Sequence, residues 1–273
     1  MPAYERPTRL EDALRIRARG DCSLLAGGTD HFPSRVGRRV DEDVLDLTAL
    51  AELRGIVRTP AGWRIGATTT WTELIEAKLP PFFACLKLAA REVGGAQIQN
   101  AGTVAGNLCN ASPAADGVPA LLALDASVEL ASPAGRRVLH LEQFVLGPRR
   151  TALRPDEIVC AVLVPKPVHP ARSHLLKLGA RKYLVISIVV AAAALELEGG
   201  LVRTARVAVG ACSPVARRLP LLEQALLGRR PSGDLVRPEH LAPLAPIDDV
   251  RADASYRSAA ALVLLRRLLE GLA

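Results

Sequence analysis

Aromatic side chains make up only 3% of this 273-residue chain, and that scarcity limits what the protein can bind. The formal net charge of +7 would suit a nucleic-acid partner, but the basic residues are dispersed and too few rings are available to stack bases. Nucleic-acid binding is set aside on that ground. Cysteine is sparse as well. Cys22, Cys85, Cys109, Cys160 and Cys212 are odd in number, widely spaced and without a C-x-x-C pair, which argues against a disulfide framework and against an iron–sulfur cluster. Their expected role is that of small buried thiols. Cys109 is singled out because it falls within a loop of chemical interest.

Long apolar runs are also missing. The most apolar stretch, Val185 to Leu197, is broken by Ser187 and meets a charge at Glu196, short of the roughly 20 residues a membrane-spanning helix needs. It reads as a buried strand. The opening MPAYERPTRLEDALR carries mixed charge and no apolar core, so no secretory signal and no membrane span are expected, and the cytoplasm is the expected compartment. His31, His140, His169, His174 and His240 are scattered without ligand spacing and are assigned to surfaces and turns. No nucleophile–base pair emerges. Neither the G-x-x-x-x-G-K-[ST] phosphate loop nor the G-x-G-x-x-G dinucleotide fingerprint is present, which disfavours both common nucleotide-binding folds.

What the chain does contain is a pair of segments rich in small and polar residues. Gln97 to Asp116 reads QIQNAGTVAGNLCNASPAAD, with Val104 and Leu108 as its apolar anchors, and is expected to be a loop rather than a core element. Glycines let backbone N–H groups turn toward an anion, and Thr, Asn and Ser add donors, so a nucleotide pyrophosphate is a natural occupant. The alternative is an ordinary polar surface loop. Upstream, Leu24-Leu25-Ala26-Gly27-Gly28-Thr29-Asp30-His31 runs from an apolar strand into a glycine pair, a second place where consecutive N–H groups and the Thr29 hydroxyl can face phosphate. Asp30 is expected to accept from backbone N–H groups and fix that loop's shape.

Between these segments, Trp63 to Leu74 (WRIGATTTWTEL) reads as strand, Thr-rich turn and helix, with Thr70 or Thr72 as cap. Further elements follow from periodicity and punctuation. Helices are expected over Thr8–Ala18, Trp71–Lys78, Pro81–Val93, Pro119–Asp125, Leu219–Leu227 and Ser258–Leu272, and strands through Leu24–Leu25 and Asp43–Leu47. Hairpins are expected around Ser132–Gly135 and Gly199–Gly200, with a linker at Pro165–Pro170.

The segments LLAGGTD, IGATTTWTEL and QIQNAGTVAGNLCNASPAAD, in this order and followed by PALLALDA, resemble the FAD-binding domain of the flavoprotein subunit of the molybdenum hydroxylases, the xanthine dehydrogenase and aerobic carbon monoxide dehydrogenase family. LKLGAR at Leu176–Arg181 and RVAVG at Arg206–Gly210 look like that family's C-terminal flavoprotein domain, so nearly the whole chain is covered. The resemblance implies an α+β fold: a two-subdomain FAD-binding domain of the PCMH or vanillyl-alcohol-oxidase-like type over residues 1–167, then a smaller antiparallel sheet with helices over 171–273. It implies FAD as cofactor, held by Leu25, Ala26, Gly27, Gly28, Thr29, Asp30 and His31 from the first loop and by Thr103, Val104, Ala105, Gly106 and Asn107 from the second. Asp116, Val159 and Lys177 match further family positions. A lysine at the flavin's pyrimidine edge would stabilise the anionic reduced form by on the order of a few kcal/mol at moderate effective dielectric; the alternative for Lys177 is a solvated lysine at a strand start.

The family's mechanism oxidises a substrate at a molybdenum cofactor in a large subunit and passes electrons through iron–sulfur clusters in a small subunit to FAD, which delivers them to NAD+, oxygen, a quinone or another acceptor. The expected function is therefore that of the FAD-carrying electron-transfer subunit of a heteromeric enzyme, with no catalytic acid or base of its own. A self-sufficient FAD-dependent oxidoreductase and a flavin-free assembly subunit are the alternatives. Two positions depart from the family pattern: Gln99 stands where Arg is usual, and Ala105 where Gly is usual. The first removes a cation from the base of the loop, and the second adds a methyl that would be unfavourable at positive φ.

Overall fold

The computed structural model describes residues 2–37 and 41–273. The chain begins with a small parallel sheet: β1 (Tyr4–Glu5), α1 (Leu10–Arg17), β2 (Cys22–Leu25) and β3 (Asp43–Asp46), in the order β1-β3-β2. Leu24 pairs with Leu45 and Leu25 with Asp46. The Leu47 N–H donates to Leu25 O at 2.8 Å, so the end of β2 is pinned where the first glycine-rich segment departs.

A five-stranded antiparallel sheet follows. Its strands are β4 (Ile56–Thr59), β5 (Gly62–Gly66), β6 (Ser127–Ser132), β7 (Gly135–His140) and β10 (Ile158–Pro165), in the order β4-β5-β10-β6-β7. The late strand β10 fills the centre, and apart from Pro165 at its C-terminal end it is almost wholly buried, as a two-sided strand of Ile and Val should be. The helices α2 (Trp71–Glu76), α3 (Ala84–Glu92), α4 (Ala96–Ala101), α5 (Val104–Asn110) and α6 (Gly117–Ala123) lie between the second and third of these strands, and α7 (Leu141–Phe144) with the hairpin β8 (Val145–Gly147) and β9 (Arg150–Thr151) precedes β10.

The C-terminal part is an antiparallel sheet, β11 (Ala171–Leu178), β12 (Val189–Glu198), β13 (Leu201–Gly210) and β14 (Arg217–Arg218), with α8 (Pro220–Leu226) and α9 (Ala254–Glu270). Gly199 and Gly200 take φ +60 and +78, the double positive φ that a tight hairpin turn requires. Strand β12 is buried on both faces. Val190, Ala192 and Ala194 join the core beneath α3 and α6, whereas Val189, Ala191, Ala193 and Leu195 join a second core beneath α8 and α9. The alternation is the period-2 geometry of a strand, and the alanines allow layers to close on it from both sides. Between β10 and β11 the chain runs without regular structure through the expected linker, where the buried Glu196 carboxylate accepts from the N–H groups of Val168 at 2.9 Å and His169 at 3.0 Å.

One expectation fails here. The expected loop at 97–116 instead holds two short helices, Ala96–Ala101 and Val104–Asn110, around a sharp turn, with only 111–116 irregular, and Val104, Ala105 and Leu108 are core. Small residues lack intrinsic drive toward a long helix, but burial of the Val104–Leu108 face and a threonine cap supply what propensity does not.

Candidate flavin site

The first segment leaves β2 at Leu25 and turns at Gly28, whose φ of +68 is readily available to glycine. Gly27 is required for a different reason. A Cβ there would lie 1.8 Å from Ala101 O and 2.9 Å from Gly102 Cα, so the segment rests directly on the turn between α4 and α5. Within the described residues, no hydrogen bond engages the N–H groups of Gly27, Gly28 or Thr29, or the Thr29 hydroxyl.

The second segment is stitched to the threonine-rich turn. Trp71 N–H donates to Gly102 O at 3.1 Å and Val104 N–H donates to Thr69 O at 3.0 Å, while Thr103 caps α5 by accepting from Gly106 N–H at 3.0 Å. Thr70 caps α2 and forms a reciprocal pair with Glu73, which settles the choice between Thr70 and Thr72. The three sequence motifs thus meet at one place.

Their meeting leaves a cleft of about 350 Å³ between the first segment and the start of α5. Ala26 to His31 line one side, Gly102, Thr103, Gly106 and Asn107 the other, with Trp71 and Val93 between them. The fit to a dinucleotide is physical. The residues that line it carry unengaged N–H groups and hydroxyls, donors suited to phosphate oxygens, and one of them, Asn107, has its Oδ1 buried against Gly117 with no hydrogen-bond partner, an arrangement that costs free energy.

Not every expected residue faces this space. Leu25 ends β2 and is buried; Val104 and Ala105 turn into the core; and Val159 is buried in β10 opposite Leu130. Asp116 and Lys177 stand just behind the cleft wall. Lys177, near the end of β11 rather than at a strand start, is buried and donates to Asp116 Oδ2 at 2.7 Å, with Glu92 Oε2 at 3.8 Å. Ser187 donates to the other Asp116 oxygen at 2.5 Å. Burial pushes the Asp116 carboxyl above its ordinary value, and Lys177 and Ser187 pull it back. Glu92 precedes the cleft residue Val93, and Gly117 packs on Trp71 and Asn107, so the pair is one residue removed from the wall on both sides.

Asp30 also differs from expectation. Its carboxylate accepts from the side chains of Arg149 and Asn110 rather than from backbone N–H groups. Of the two departures from the family pattern, Ala105 sits in α5 without positive φ, so its methyl is not strained. The Gln99 amide donates to Arg91 O at 3.1 Å and Gly94 O at 3.3 Å, serving the carbonyls at the end of α3. Arg35, a lone arginine after a polar turn that no motif marks, also lines the cleft and donates to His31 O at 3.0 Å. Burial, followed by the nearby Arg35 cation, lowers the His31 pKa.

The comparisons with known proteins agree with this geometry. Residues 1–167 match the FAD binding domain in molybdopterin dehydrogenase, and residues 174–272 match the CO dehydrogenase flavoprotein C-terminal domain. The chain is 35% identical to the putative xanthine dehydrogenase FAD-binding subunit XdhB of Escherichia coli K12, over 81% of this chain and 78% of that one. It is 32% identical to the carbon monoxide dehydrogenase medium chain of Afipia carboxidovorans, over 98% and 95%. Among solved structures, carbon monoxide dehydrogenase from Hydrogenophaga pseudoflava superposes with a TM-score of 0.89 at 29% identity, covering 98% of this chain and 96% of that one. Fold, cleft and relatives together define a flavoprotein subunit of an oxidoreductase. The chain belongs to the FAD-binding medium subunits of the molybdenum hydroxylase family, and FAD is its cofactor.

Proposed function

We propose that the chain is the electron-transfer subunit of a heteromeric molybdenum hydroxylase, receiving electrons from an iron–sulfur small subunit, whose own source is a molybdenum-cofactor large subunit, and passing them to NAD+ or another acceptor. The observation that carries this reading is the cleft between Ala26–His31 and the start of α5, with donors on both walls and a buried Asn107 oxygen without a hydrogen-bond partner. Bound FAD supplies the exchange between one-electron donors and a two-electron acceptor. This chain's residues orient it. Gly27, Gly28, Thr29, Thr103, Gly106 and Asn107 hold its phosphates and adenosine side; Leu25, Val104, Ala105 and Val159 shape the elements beneath; Asp30 and His31 close the first loop. Asp116 fixes Lys177 as a cation behind the cleft.

Residues 1–167 serve as the FAD-binding unit and 171–273 as the C-terminal unit. Among the described residues no helix is long and apolar enough to cross a membrane, and the free cysteines accord with a reducing cytoplasm.

The test is isolation of the native assembly through a tag on this chain, followed by metal and flavin analysis. The expected complex contains iron, molybdenum and FAD, and its flavin, once reduced, is reoxidised by NAD+ or by another acceptor supplied in turn. A chain isolated alone with its flavin, oxidising substrate without partners, would overturn the proposal in favour of a self-sufficient oxidoreductase.

A further inference from the structure

The two walls of the cleft are joined from outside by a residue that belongs to neither. Arg149 stands in the turn between β8 and β9 with φ +57, a left-handed conformation that glycine adopts freely and an arginine adopts at a cost. Such strain persists where surrounding contacts over-determine it. The Arg149 N–H donates to Ala111 O at 3.0 Å, the residue just past α5. Its guanidinium donates to Asp30 Oδ2 at 2.7 Å and to Asn110 Oδ1, and Asn110 in turn donates to Asp30 Oδ1 at 3.4 Å. Asp30 lies on the first wall of the cleft and Asn110 on the second.

We propose that Arg149 is a positioning residue for FAD: a latch that ties the two cofactor-binding segments together without contacting the cofactor. This rests on the reading of the cleft as the flavin site. The latch carries no motif of its own, because its turn is distant in sequence from both segments it joins. Arg149 and Asp30 are 61% and 47% exposed at their side chains, so the link is modest in strength and sensitive to salt. That suits a closure that must open for the cofactor to enter and then slow its escape.

The experiment compares the full chain with R149G, R149K and D30N, each loaded with FAD and diluted, with release followed by the recovery of free flavin fluorescence. R149G should release FAD roughly fivefold faster than wild type, the loss expected for an exposed ion pair, while the melting temperature of its apoprotein stays level or rises because glycine relieves the strained turn. R149K should fall between them, D30N should match R149G, and the double variant should add nothing further, as for two halves of one interaction. Added salt should speed release from wild type and leave R149G nearly unchanged. Release from R149G at the wild-type rate, or release that merely tracks a loss of apoprotein stability, overturns the latch. If wild type binds FAD and the variants do not differ from it, the latch alone is wrong; if wild type takes up no FAD, the flavin reading falls with it.

Discussion

The Lys177 ammonium, carried on the C-terminal sheet, lies 2.7 Å from Asp116 Oδ2 at the start of α6, and both side chains are buried. The pair therefore joins the N-terminal helices to the C-terminal sheet beside the cleft between Ala26–His31 and α5. Removing one partner of a buried pair leaves an uncompensated charge and typically costs about 3–5 kcal/mol. Lys177→Met should show such a loss in denaturant or thermal unfolding.

The same variant should acquire a distinctive pH dependence. Asp116 already has its pKa raised by burial, with Lys177 opposing the rise. A carboxyl whose folded pKa exceeds its unfolded value stabilises the fold below the unfolded pKa and loses that contribution as pH rises through the folded one. Without Lys177 the rise should grow. The melting temperature of Lys177→Met should therefore approach that of wild type on acidification and fall away from it toward neutral pH, as measured by thermal melts across that range.

Gly27→Ala should be far more damaging than Gly28→Ala. At Gly27 the added methyl meets backbone, 1.8 Å from Ala101 O, so the segments must separate or the chain must unfold. At Gly28 the cost is positive φ, about 1–2 kcal/mol, and an overlap with the mobile edge of Phe32 at 2.6 Å. Flavin-to-protein ratio and unfolding temperature, measured together, should show nearly complete loss of FAD for the first and partial loss for the second.

Restoring the family residues at the two departing positions should not improve cofactor retention. Ala105 is helical and buried, so Ala105→Gly should only destabilise, by roughly 0.5–1 kcal/mol. Gln99 already serves the end of α3, and Gln99→Arg should leave FAD affinity unchanged. Equilibrium titration with FAD checks both; tighter binding by either variant would show that the departure had weakened the site.

Asp249 provides an acid-sensitive anchor on the far side of Ser187. Backbone donation from Arg251 and the Arg257 guanidinium hold its pKa at about 2, below the ordinary 3.8, and Arg257 in turn donates to Ile188 O at 2.7 Å. A depressed folded pKa gives stability that is present above the unfolded pKa and lost as pH falls toward the folded one. The melting temperature of Asp249→Asn should lie below that of wild type at neutral pH, and the gap should close between about pH 4 and pH 2.

Much of this was legible in the sequence because the relevant signals are local. The glycine pair, the threonine-rich turn before α2 and the apolar run of β12 each act within a few residues, and the Gly199–Gly200 turn is read from two letters. The helix Val104–Asn110 is hidden in the sequence because its stability comes from burial of Val104 and Leu108, a tertiary effect that small-residue composition conceals. Asp30 was given a backbone role because its true partner, Arg149, is 119 residues away. The pairing of Lys177 with Asp116 is not legible, because the two lie 61 residues apart.

Cys109 offers the most direct test of the central claim that FAD lies between the two segments. The residue is exposed and lines the cleft, whereas Cys85, Cys160 and Cys212 are buried and Cys22 is partly so; the protein packed around the Cys109 sulfur pushes its thiol up to about 12, so it reacts through its thiolate only at alkaline pH. Iodoacetamide labelling of the folded apoprotein at alkaline pH, located by peptide mass analysis, should reach Cys109 slowly, and saturation with FAD should protect it while leaving any labelling of Cys22 unchanged. Labelling of Cys109 at the same rate with and without bound FAD would contradict this placement of the cofactor.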